Sequence, residues 1–169
     1  MIEPLDEAVD HVRGPKTGRL IVEYGDYECP YSRQAFRAIE LVEAVPGEKV
    51  RFAPRHFPLT DIHPHALAAS LAAEAAALQG RFWQMHEMLF HRQQALEDDD
   101  LRGYAIELGL EVARFAADRS GDAALARVSR DVRSGEASGE VRGTPTLFID
   151  GVVYRGGYEV PTLLEALSR

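Results

Sequence analysis

Apolar positions recur at two different periods along the chain, and the changes of period divide it into three stretches. The first opens with "RLIVEY", Arg19 to Tyr24, a short and mostly apolar run ended by Gly25-Asp26. A run of that length bounded by turn residues predicts a strand buried on both faces, which belongs in a parallel or mixed sheet. From Pro30 the apolar residues Ala35, Phe36, Ile39, Val42 and Val45 recur at helical spacing, and Pro46-Gly47 stops them. The spacing predicts a helix. Pro30 suits its first position, where the missing N–H would have no helical partner anyway. Cys29 then stands at or just before the helix N-terminus. Val50 to Ala53 predicts a second strand, closing a strand-helix-strand unit that should be right-handed.

Between Thr60 and about Glu140 the strand signal disappears. Helical spacing runs through Ala66–Leu78, Phe82–Leu89, Leu101–Leu108, Val112–Ala117 and Ala123–Val132, with Gly80-Arg81, "EDDD", Gly109 and Ser120-Gly121 as breaks. These predict an all-helical insertion over residues 60–140. Strands return at Thr146–Ile149 and Val152–Tyr154, joined by Asp150-Gly151, a strong hairpin signal. Pro161–Leu167 is a closing helix. The order predicts an α/β fold that resembles the thioredoxin-like arrangement: a four-stranded mixed sheet, helices on both faces, and a site at the C-terminal end of the first parallel strand.

Composition narrows the choices. At 169 residues, 46% hydrophobic and 27% charged, the chain reads as a single domain over 1–169. Its net charge of −8 argues against nucleic acid as a partner. The longest apolar stretch, Ala66–Leu78, is broken by Ser70 and Glu74 and falls short of the roughly 20 residues of a membrane span. The first residues are acidic where a secretory signal is basic. The expectation is a cytoplasmic chain with no membrane partner. Cys29 is the only cysteine, so any disulfide chemistry involves another molecule.

A lone cysteine is commonly a small buried apolar residue. Here the strand-turn-helix context favours a reactive thiol, because a helix N-terminus stabilises the nucleophilic thiolate. The nearby charges of Asp26 and Glu28 act in the opposite sense. Ser32, one turn into the helix, either donates its hydroxyl to the sulfur or is a solvated helix residue. Pro145 in "GTPT" stands where a trans proline commonly begins a strand. His56, His63, His65, His86 and His91 show no zinc-binding spacing, so no metal site is expected. Phe82, Trp83, Met85 and Leu89 read as core of the insertion or as a wall beside Cys29.

The segments "EYGDYECPYS", "RHFPL", "HPHALAASLAAEAA", "GRFWQMHEMLF" and "VRGTPTLFIDG" together resemble the DsbA-type thioredoxin-like proteins. The similarity is greatest to a cytoplasmic group that also occurs as a tail domain of sodium/proton antiporters, and it extends from about Val12 to the C-terminus. It implies that Cys29 is the nucleophile, that Pro145 is a cis-proline facing it, and that Pro30, Tyr31, Thr144 and Pro145 bind substrate. The family's second cysteine is replaced by Ser32. The resemblance therefore implies a monothiol thiol-disulfide oxidoreductase acting on a thiol or disulfide substrate, protein or glutathione. No cofactor is bound in this reading; glutathione is a co-substrate. Two other classes remain open: a non-catalytic peptide-binding module, and a glutathione-dependent iron-sulfur protein.

Overall fold

In the computed structural model, which describes residues 2–169, the run Arg19–Gly25 forms β1 at an inner position of a sheet ordered β2-β1-β3-β4. The strand β2 (Val50–His56) runs parallel to it, β3 (Thr146–Ile149) runs antiparallel to β1, and β4 (Val152–Tyr154) runs antiparallel to β3. Alternation along β1 decides which layer each side chain meets. Ile21 packs with α1 (Pro30–Glu43) and α7 (Val160–Leu167), in a core that includes Ile39, Val42, Phe52, Leu147 and Leu163. Val22 and Tyr24 enter the opposite core with Ala53, Val141 and Phe148. Asp150 and Gly151 have φ of 47° and 82°, as a two-residue hairpin with both central residues left-handed requires.

Between β2 and β3 lie five helices: α2 (Ala66–Ala77), α3 (Phe82–His91), α4 (Asp98–Glu107), α5 (Val112–Arg119) and α6 (Asp122–Ser138). Their shared core is built on the alanine face of α2 with Met85, Leu89, Leu101 and Phe115, and it reaches Tyr27 and Phe36 beside the site.

Three boundaries differ from the sequence expectation by three residues or more, each for a local reason. β2 continues through Pro54 because it is an edge strand, where an absent N–H can face away from the partner. The acidic break belongs to α4: the Glu97 side chain and Asp100 form a reciprocal capping box, and acidic residues are favoured in a first turn. α6 runs six residues past Val132 and includes Gly135. A Cβ there would lie 2.9 Å from the Phe57 ring and 3.1 Å from that of Tyr24. The glycine permits this approach.

Candidate active site around Cys29

The turn after β1 is braced from several sides. The buried Asp26 carboxylate accepts the backbone N–H of Glu28 at 2.7 Å and of Leu59 at 2.9 Å, and meets His63 Nδ1 at 2.8 Å. Glu28 accepts the His65 backbone N–H at 2.7 Å and meets its Nδ1 at 2.9 Å, which holds the His65 ring above its ordinary pKa. From the segment after α3, Gln93 Nε2 donates to the carbonyls of Tyr27 and Cys29 at 2.7 and 2.9 Å. The carboxylates flanking the cysteine are thus tied to histidines and backbone amides.

Cys29 is the N-cap of α1, with Pro30 starting the helix. It is 4% exposed, and its S–H donates to the Thr144 carbonyl at 3.3 Å. The pairing of Tyr24 with Thr146 brings Thr144 and Pro145 to the turn, and the peptide bond between them is cis. Tyr158 Oη donates to the Pro145 carbonyl at 3.1 Å. Pro30 and Tyr31 lie on the exposed rim, Tyr31 65% accessible.

Ser32 faces inward. It is fully buried, and its Oγ accepts the Asp26 backbone N–H at 3.2 Å. Neither role weighed from the sequence describes it: it is not solvated, and among the described residues it makes no hydrogen bond to the Cys29 sulfur. The helical phase sets it against the β1 turn. Phe82, Met85 and Leu89 are core of the helical layer, and Trp83 is partly buried beneath the Arg13 guanidinium, 4.6 Å away.

Sequence reasoning missed Glu23. It shares the face of β1 with Ile21, which α1 covers, and is 1% exposed with both carboxyl oxygens lacking a partner among the described residues. Burial pushes its pKa up to about 8. A Cβ on Gly25 would lie 3.2 Å from its Oε1, so the carboxyl points toward the site end of the strand. The Tyr158 pKa is raised by burial first, then by the charges of Glu23 and Cys29. The signal was available: a glutamate inside a strand predicted to be buried on both faces.

Two clefts lie near the cysteine turn, one reaching Thr144 and the other Pro30. One, of about 580 Å³, includes Arg142, Thr144, Pro145 and Arg155. The other, of about 250 Å³, follows α1 through Pro30, Arg33, Gln34 and Arg37 to Gln93 and Gln94. Among the described residues no group of three or more His, Cys, Asp or Glu side chains is arranged to hold a metal, and no helix is long and apolar enough to cross a membrane.

Known proteins resemble this chain in sequence or in fold. The Na(+)/H(+) antiporter NhaA of Herminiimonas arsenicoxydans is 44% identical over 166 residues, covering 98% of this chain and 26% of that protein. NhaA 1 of Salinispora arenicola is 43% identical over 173 residues, covering 99% and 26%. The chain therefore spans about a quarter of the length of these curated relatives. The crystal structure of a thioredoxin-like oxidoreductase from Silicibacter pomeroyi superposes with a TM-score of 0.83 at 25% identity, over 96% of this chain and 92% of the other. Oxidised BdbD from Bacillus subtilis gives 0.81 at 18% identity, over 96% and 93%, a likeness of fold. The family described as Thioredoxin matches residues 7–169, nearly the whole chain with the four-stranded sheet and the cysteine turn inside it. The chain belongs to the thioredoxin family.

Proposed function

We propose that the chain is a monothiol thiol-disulfide oxidoreductase of a reducing, cytoplasmic compartment, with Cys29 as its nucleophile. The observation that carries this reading is the placement of the sulfur at the α1 N-cap, against the carbonyl of Thr144, a residue that lines an open cleft. Unbonded N–H groups at a helix start attract negative charge. The thiolate attacks one sulfur of a substrate disulfide; a bond forms to Cys29, the substrate S–S bond breaks, and the departing sulfur leaves as a thiolate and takes a proton from solvent. In a dithiol enzyme a second cysteine would then resolve the adduct. Here the corresponding Ser32 has no sulfur and its oxygen is committed to Asp26 N–H.

An outside thiol, glutathione or the substrate's own second cysteine, must therefore attack the adduct, forming a new disulfide and returning Cys29. Such a cycle suits isomerisation or deglutathionylation. Net reduction of a substrate takes its electrons from the outside thiol. The test is release of glutathione from a glutathionylated peptide with glutathione as the second thiol. The native chain accelerates it and Cys29→Ser does not. Equal acceleration by Cys29→Ser overturns the proposal.

A further inference from the structure

We infer that the cleft along α1 is a carboxylate-binding subsite, built by Arg33 and Arg37, that holds the glutathione half of a mixed disulfide at Cys29. This deepens the proposed function by naming its substrate class, and rests on that reading for the chemistry but not for the binding.

Cys29, Arg33 and Arg37 follow at successive intervals of four, so they lie along one face of α1. At 1.5 Å per residue the two arginines stand roughly 6 and 12 Å along the axis from the cysteine. Both line the cleft of about 250 Å³ that begins at Pro30, the residue after Cys29, and Gln93 in its wall is bonded to the Cys29 carbonyl. No carboxylate lines it.

The arginines there differ from most others in the chain. Arg13, Arg55, Arg92, Arg119, Arg130 and Arg155 each pair with a carboxylate. Arg33 and Arg37 have no ion pair among the described residues, and Arg33 Nε is shielded from solvent without a hydrogen-bond partner. A shielded, unpaired donor of this kind calls for an acceptor. The nearest acidic groups of the cysteine turn, Asp26 and Glu28, are already held by His63 and His65. In a chain of net charge −8, whose overall field repels anions, two uncompensated guanidinia in the first turns of α1 create a local exception. Glutathione carries its sulfur on the central residue, and each of its two carboxylates is within about two residues of that sulfur, roughly 7 Å of extended chain. That reach matches the nearer arginine, Arg33, and Arg37, one turn further along the same face, can share the carboxylate. Guanidinium and carboxylate also match as paired donors and acceptors.

The test separates binding from reactivity by using Cys29→Ser protein, which forms no disulfide. S-methylglutathione is titrated and followed by amide chemical shifts, alongside its diester and an end-blocked acidic hexapeptide. Expected are saturable shifts centred on α1, weakened about tenfold or more by esterification or by Arg33→Ala with Arg37→Ala, and partly restored by the double lysine variant. Equal binding by the diester, or by the double alanine variant with an unchanged amide spectrum elsewhere, overturns the subsite. Tighter binding of the hexapeptide overturns glutathione as its occupant. Either failure leaves the reactivity of Cys29 standing, and failure of Cys29 in peptide deglutathionylation leaves a measured subsite standing.

Discussion

Glu23 occupies an inner strand with neither carboxyl oxygen hydrogen-bonded among the described residues, and burial holds it as a neutral acid at pH 7. Its pKa is raised from 4.5 to about 8, which fixes the sign of its effect on stability. Below the unfolded value both states carry the proton. Between 4.5 and about 8 the folded chain keeps a proton that the unfolded chain has released, so stability falls as pH rises, by at most about 1.4 kcal/mol per pH unit. Above that window the loss is complete and constant. Glu23→Gln is expected to flatten this decline in denaturant titrations across the window; parallel curves for variant and parent would contradict it. Cys29 and Pro30 were legible from the helix-start pattern. The inward turn of Ser32 was not, because its acceptor role depends on where the Asp26 N–H lies in space.

At the scale of elements, two glycines sit inside helices for opposite reasons. A Cβ added at Gly103 in α4 would meet nothing within 4 Å, whereas Gly135 in α6 faces the rings of Phe57 and Tyr24 at close range. Gly103→Ala is expected to stabilise the fold by up to about 1 kcal/mol through helix propensity. Gly135→Ala should destabilise it by about 1–3 kcal/mol, because the rings must move. Thermal or denaturant unfolding of both variants checks the pair, and equal shifts would contradict it. Strands and helices were well marked in the sequence because hydrophobic period is a local property. The ends of β2, α4 and α6 were not, since they depend on edge position, reciprocal capping and the surface that α6 meets. A glycine that breaks a helix in isolation continues one when a neighbouring ring requires the space.

At the scale of the molecule, the segment before β1 ties the layers together. Asp10 and Arg55 form an ion pair with no exposed side-chain surface, and Arg130 also donates to Asp10. Burial raises the Asp10 pKa, but the hydrogen bonds from Arg55 and Arg130 outweigh it and hold the carboxyl well below the usual range. Its contribution is therefore present above the ordinary carboxylate pKa and lost as the pH falls into strong acid. Arg55 further donates to the carbonyls of Glu3 and Pro4, and Arg13 exchanges backbone hydrogen bonds with Phe52. Asp10→Ala should cost about 3–5 kcal/mol, because it leaves Arg55 buried without its carboxylate. An unfolding midpoint unchanged by that substitution would contradict the strap. None of this pairing was legible in the sequence: Asp10 and Arg130 lie 120 residues apart, and no local pattern joins them.

The monothiol cycle makes one direct demand: that Cys29 hold a substrate half as a lasting adduct. Folded native protein treated with glutathione disulfide and examined by intact mass and peptide mapping is expected to carry one glutathione on Cys29, to keep it after the small molecules are removed, and to release it on addition of a second thiol. Cys29 unmodified in the folded chain, and reacting only after denaturation, would contradict the account.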